Sequence, residues 1–202
     1  GNTSVNINAV MVNDTIDEAN ENFTVTLSSP SAGTTLGATN VHTHTIIDND
    51  AKPILTFSAA SASTNEGSGP ISVTVSASNA SSSNITFNLN VTGGTATGGG
   101  TDYTVPAMPV TLTAGQLSVA KTFVINNDTL DEVNETIVLD ITSVSAAGTD
   151  GTVGNTAHTH TIIDNDAPPV VDFASATGST GEATASGTVG ISLSTASGKQ
   201  VT

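Results

Sequence analysis

Two stretches decide the fold: His42-Thr43-His44-Thr45-Ile46-Ile47-Asp48-Asn49-Asp50, and the same nine residues again at His158-Thr159-His160-Thr161-Ile162-Ile163-Asp164-Asn165-Asp166. They stand 116 positions apart, and the spacing persists outward. Phe57 and Phe173 keep it, as do Thr64 and Thr180, Glu66 and Glu182, and Val73 and Val189, while Val201 answers Ile85. Asn13-Asp14-Thr15-Ile16-Asp17-Glu18 recurs as Asn127-Asp128-Thr129-Leu130-Asp131-Glu132 at a spacing of 114. The slip between the two spacings falls in the Ser143–Gly151 stretch, a loop by composition. Self-similarity at a fixed period signals an array of repeated units.

The period divides the chain into the C-terminal half of one module (1–51), a complete module (52–166) and the N-terminal half of a following module (167–202). The connections Asp50-Ala51-Lys52-Pro53 and Asp166-Ala167-Pro168-Pro169 are short and stiffened by proline. About 115 residues can bury a self-sufficient core, whereas the flanking halves cannot do so alone. The expectation is a cut from a longer chain with Gly1 as the start of a fragment. The alternative is a filament in which neighbouring chains complete the halves.

Period-two alternation runs through the complete module. Ile71, Val73 and Val75 share one strand face, as do Ile85, Phe87, Leu89 and Val91, with Thr86, Asn88 and Asn90 opposite. Val110 and Leu112 follow, then Leu117, Val119, Phe123 and Ile125 with Lys121 as the odd member, then Ile137, Leu139 and Ile141. No window sustains a helical period. Seven or so short strands separated by Gly, Asn and Ser turns predict an all-β, immunoglobulin-like antiparallel sandwich in tandem, without the Cys and Trp of antibody domains.

Composition excludes several function classes. Eighteen Asp and Glu against three Lys give a formal net charge of −15. Such a surface repels phosphate backbones and anionic lipid, so no nucleic acid and no membrane surface is expected as partner. It suits divalent cations. No apolar run reaches membrane-spanning length, so no membrane insertion is expected in this segment. Cysteine is absent, which removes disulfides and thiolate metal sites. Scarce basic residues and absent cysteine resemble secreted or cell-surface bacterial proteins.

Acidic residues are few, so their placement is informative. In the complete module Glu66, Asp102, Asp128, Asp131, Glu132, Glu135, Asp164 and Asp166 fall at strand ends, which a sandwich can gather at one tip. Calcium takes roughly six to eight oxygen ligands, often carboxylates from several loops. Two like charges about 4 Å apart at an effective dielectric of 20 cost roughly 4 kcal/mol, so a tight cluster of them calls for a cation.

The blocks Asn127-Asp128-Thr129-Leu130-Asp131-Glu132-Val133-Asn134-Glu135-Thr136-Ile137 and Thr161-Ile162-Ile163-Asp164-Asn165-Asp166 resemble the Calx-beta motif. So do Gly94-Thr95-Ala96-Thr97 through Thr101-Asp102-Tyr103-Thr104, and Asn65-Glu66-Gly67. Modules of that family are calcium-binding β-sandwiches of sodium–calcium exchangers that also occur in integrin tails and large bacterial surface proteins. The resemblance implies a Ca²⁺ site at Glu66, Asp102, Asp128, Glu132, Glu135, Asp164 and Asp166. It implies partial sites at Asp14, Glu18, Glu21, Asp48 and Asp50 in the first half-module and at Glu182 in the last. Two departures, Asn127-Asp128 for an acidic pair and Asp164-Asn165-Asp166 for an acidic run, imply fewer ions or weaker affinity than in exchanger modules. Asn127 and Asn165 would still offer carbonyl oxygens.

Other motifs read as structural. Asp17 and Asp131 are expected to be solvated, and Asp140 and Asp150 to be plain surface charge. The pairs His42/His44 and His158/His160 each lie on one face of a strand. Zinc or copper would need a third ligand that is not apparent, so a strand role is expected. Gly98-Gly99-Gly100 reads as a flexible loop. No phosphate loop, nucleophile elbow or EF-hand loop is present, and no enzymatic role is expected.

The leading expectation is a structural, adhesive repeat module of a long extracellular surface protein or filament. Its partners would be neighbouring modules and a surface ligand that the sequence does not identify, with calcium at the tip stiffening the array. The alternatives are a regulatory calcium sensor of a membrane protein and a carbohydrate-binding module, the latter weakened by aromatic content of only 3% and no Trp.

Overall fold

In a computed structural model of the chain, residues 1, 3–146, 151–154 and 157–202 are described. Fourteen strands form, in chain order: β1 Glu21–Thr26, β2 Val41–Ile46, β3 Ile54–Phe57, β4 Ser61–Asn65, β5 Ile71–Ala77, β6 Ile85–Gly94, β7 Tyr103–Thr104, β8 Val110–Leu112, β9 Ser118–Ile125, β10 Glu135–Ala146, β11 Thr152–Val153, β12 His158–Ile163, β13 Val171–Phe173 and β14 Ile191–Leu193. Among the described residues no helix is long and apolar enough to cross a membrane.

Two five-stranded sheets, β4-β12-β10-β6-β8 and β11-β3-β5-β9-β7, face each other over one core. The first contributes Ile85, Phe87, Leu89, Leu112, Ile137, Leu139 and Ile162, and the second Leu55, Val73, Val75, Phe123 and Ile125. Strict alternation holds where the sheets overlap: β12 alternates buried and half-buried positions along its whole length. Its inward face carries His158, His160 and Ile162, in line with the strand role expected for this His-x-His pair.

Most pairings are antiparallel, but β12 with β4 and β11 with β3 run parallel. Alternation along a strand carries no information on partner direction, so these edges were not foreseen. The chain between β3 and β4 crosses from one sheet to the other. That crossing delivers Glu66, just after β4, beside the end of β12, where the Glu66 N–H donates to the Ile163 carbonyl at 3.0 Å.

Three expectations are corrected. Val91 and Leu117 are exposed, because the alternating faces of their segments run past the region covered by the opposite sheet. The stretch expected to be a loop from Ser143 begins as strand, since β10 runs to Ala146. Residues 147–150, including Asp150, lie outside the described residues.

On either side stand two small hairpins, β1-β2 and β13-β14. Their pairing repeats the complete module: Phe23 lies opposite His44 in the first hairpin, as Ile137 lies opposite His160 in β10-β12. Val25, Leu27, Val41, His42 and His44 line an open apolar hollow with Val5 and Ile7. Phe173, Ile191 and Leu193 are exposed on the last hairpin.

Candidate functional site

Four segments converge at one end of the sandwich: the exit of β4, the loop before β7, the turn between β9 and β10, and the residues after β12. Each is fixed by local hydrogen bonds that its sequence supplies. The Asp128 Oδ1 accepts from the Leu130 N–H at 2.7 Å, closing a turn that Asp14 and Ile16 repeat at 2.8 Å. Asn134 Oδ1 accepts from the Asp164 N–H at 3.2 Å, and Asn20 does the same for Asp48 at 3.0 Å. The Asp102 carboxylate accepts from the Thr97 N–H, and Asn126 Nδ2 donates to the carbonyls of Gly100 and Thr101 at 2.6 and 3.0 Å. The glycine-rich loop is therefore tied down at its acidic end.

These ties gather six of the seven candidate residues into two triads, Glu66-Asp164-Asp166 and Asp102-Glu132-Glu135. Within each triad one carboxylate oxygen per residue lies within 4.8 Å of the others. The seventh, Asp128, is exposed and joins neither triad, but its charge raises both Glu66 and Glu132.

The electrostatics are those of crowded carboxylates short of positive charge. Partial burial and then the hydrogen bond and charge of Asp102 push Glu135 up to about 7. Glu132 is raised by burial and by Asp128, Asp102 and Asp164. Glu66 is raised by burial, against the hydrogen bond it receives from the backbone of Asn165. Oδ2 of Asp166 is buried without a hydrogen-bond partner. Oxygen-only donors, an orphaned carboxylate oxygen and a glutamate holding a proton near neutrality fit a hard divalent cation. Such an ion would replace the shared proton and offset the repulsion; the residues themselves supply only position and charge.

The remaining candidates differ in placement. Asp14, Glu18, Glu21, Asp48 and Asp50 surround a small hollow within residues 1–51. Glu18 is raised by desolvation and by the other four, yet among the described residues they form no triad as tight as the two above. Glu182 sits in an exposed turn, and among the described residues no strand like β4 precedes it.

The expectation that Asp17 and Asp131 are solvated is overturned: they are 3% and 4% exposed. Each forms an isolated parallel bridge with a serine further along the chain, Asp17 with Ser81 and Asp131 with Ser197. Their recurrence at the repeat spacing was the available signal. Lys199 was missed as well; it ion-pairs with Asp131 and Asp164.

The fold has counterparts among known proteins. The family model described as the Calx-beta domain matches residues 1–50 and 48–167. Among solved structures, CBD12 from CALX1.2 superposes with a TM-score of 0.50 at 19% identity, over 60% of this chain and 48% of that one. The calcium-binding domain CBD12 of CALX1.1 gives 0.50 at 19% identity, over 60% and 50%. The chain thus spans about half the length of each of these structures. No curated protein matches. With a family model matching most of the sequence at two successive segments, the chain belongs to the Calx-beta domain family.

Proposed function

We propose that residues 52–166 form one calcium-binding module of a tandem extracellular array, and that Ca²⁺ at its tip stiffens the junction to the next module. The supporting observation is the pair of carboxylate triads beside the linker: Asp164 and Asp166 belong to one of them and directly precede Ala167-Pro168-Pro169. Glu66, Asp102, Asp128, Glu132, Glu135, Asp164 and Asp166 would hold the ion through carboxylate oxygens. Residues 1–51 and 167–202 are proposed as halves of neighbouring modules, and a structural, adhesive and non-catalytic role in a secreted or cell-surface bacterial protein is part of the same proposal. The test is thermal melting of the whole chain in calcium and in chelator, beside Asp128→Ala/Asp164→Ala. A calcium-dependent rise that the double variant loses supports the reading. Equal melting of both proteins in both buffers leaves the sandwich as a passive spacer.

A regulatory calcium sensor is the second reading, favoured by the similarity to the calcium-binding domain CBD12 of CALX1.1. The two part on mechanics. A stiffened spacer changes its flexibility with calcium, whereas a sensor changes the surface it offers to an effector domain.

A further inference from the structure

An isolated parallel bridge recurs along the chain, Asp17 with Ser81 and Asp131 with Ser197. At the first, the Asp17 N–H donates to the Ala80 carbonyl at 3.1 Å and the Ser82 N–H to the Asp17 carbonyl at 3.0 Å. At the second, the Gly198 N–H donates to the Asp131 carbonyl at 3.0 Å. In both, the serine hydroxyl accepts from the N–H two residues on: Ser83 to Ser81 and Lys199 to Ser197, each at 3.1 Å. The bridge and the serine turn repeat, but the side chain at that last position is Ser83 at one junction and Lys199 at the other.

The consequence lies in the charges. Lys199 Nζ is 2.5 Å from Asp131 Oδ1 and 3.5 Å from Asp164 Oδ2, and the Ser197 hydroxyl donates to Asp131 Oδ2 at 3.1 Å. The Asp131 carboxylate is thereby neutralised. At the first junction, Asp17 Oδ2 is buried with no hydrogen-bond partner. Asp164 is at once a partner of the Lys199 ammonium and a member of the Glu66-Asp164-Asp166 triad. The following module therefore sets a positive charge on the rim of the preceding module's acidic cluster.

We propose that Lys199 is a cation delivered in trans by the following module, which competes with a divalent ion for Asp164 and so couples ion occupancy to module docking. This rests on the calcium reading above. An ammonium this close lowers the negative charge that attracts the ion, and a divalent ion on Asp164 repels the ammonium in turn. The coupling is reciprocal by linkage. At the first junction the corresponding residue is Ser83, which carries no charge, so this position cannot compete there and the two junctions should respond to calcium differently.

The test uses the full chain carrying Asp48→Asn/Asp50→Asn, which silences the upstream cluster. Calcium is titrated calorimetrically into this parent and into its Lys199→Met and Lys199→Arg forms. Lys199→Met should bind about 3- to 10-fold more tightly, within the usual span of coupling between linked sites. Lys199→Arg, which keeps the charge, should stay within about twofold of the parent. Acylation of the Lys199 amine, followed by mass spectrometry, should be slow in chelator and accelerate with calcium. Equal affinity for calcium in the Met form and the parent, or labelling indifferent to calcium, overturns the competition while leaving the calcium reading intact. If no form takes up calcium, both fall together.

Discussion

The side-chain amide of Asn165 donates to the backbone carbonyl of Glu66 at 2.7 Å, joining positions 99 residues apart. The Asn165 N–H also faces Glu66 Oε1 at 3.3 Å, and its amide makes a second bond to Asn127 Oδ1 at 3.0 Å. Three of the segments that carry the acidic cluster are thus held by one neutral side chain. Sequence reasoning treats Asn127 and Asn165 as weakened ligands offering carbonyl oxygens. In the structure, Asn165 contributes its nitrogen and the Asn127 oxygen is already engaged.

Replacing Asn165 with alanine removes both side-chain bonds at a partly solvated site. The expected loss is about 1–2 kcal/mol of stability, measured by denaturant unfolding, with weakened calcium response. Asn165→Asp cannot donate either and adds a charge beside Glu66. It should be less stable than Asn165→Ala in chelator yet gain more from calcium. An aspartate form as stable as the unaltered chain in chelator would show that the amide is not a staple.

Gly67 follows Glu66 with φ of +68°, and a β-carbon there would meet Asn127 Oδ1 at 2.1 Å. Gly67→Ala therefore strains the backbone and displaces the acceptor of the Asn165 amide. A loss of about 1–3 kcal/mol is expected, together with weaker calcium stabilisation. The contrast is Gly69→Ala. That residue also has positive φ, but nothing lies near the added carbon, so Gly69→Ala should leave the calcium response unchanged. Equal effects on the response would place the cost in backbone strain alone.

Much of this architecture was legible because burial and sequence share a period of two: Phe87, Leu89, Phe123, Ile137 and Leu139 lie on the faces that alternation assigns them, and all are buried. The acidic cluster was legible because charge is scarce and returns at the repeat spacing. Partner direction was not, since the parallel pairing of β4 with β12 depends on a crossover that leaves no periodic trace. The junction escaped because a buried aspartate looks like a solvated one until its neighbour is seen. Only the recurrence of Asp17 as Asp131 and of Ser81 as Ser197 hinted at it. Lys199 was not legible because it breaks the repeat, Ser83 standing at the corresponding position.

His160 is 3% exposed and its Nε2 is buried without a partner, 6.1 Å by ring centroid from His158. His158 is better provided, with Nδ1 2.8 Å from the Ala59 carbonyl oxygen. An unsatisfied buried polar atom costs roughly 1–3 kcal/mol, and leucine fills a similar volume without one. His160→Leu is expected to raise stability by about 1 kcal/mol at pH 7. A fall of several degrees in melting temperature would show that the imidazole is held by more than packing.

The same histidine and Glu135 pull stability in opposite directions over one pH range. Burial pushes Glu135 up to about 7 from an ordinary 4.5, so between those values the folded form holds the extra proton. Stability then falls as pH rises through 7. Burial, then the neighbouring His158, lowers His160 below its ordinary 6.5, so the unfolded form takes the proton first and stability falls as pH drops through 6.5. The unaltered chain alone cannot separate the two. Glu135→Gln can, because the raised Glu66 and Glu132 and the lowered His160 remain in both proteins and largely cancel in the difference. In chelator the two proteins should melt together at pH 4, where Glu135 is protonated in both the folded and the unfolded chain, and the unaltered chain should fall progressively below the glutamine form as pH rises from 4.5 through 7. In saturating calcium the order at pH 8 should reverse, because an ion needs the ionised carboxylate that glutamine cannot supply. A difference in melting temperature that is flat from pH 4 to 8 in chelator would mean that Glu135 ionises normally. No reversal in calcium would remove Glu135 from the ion site.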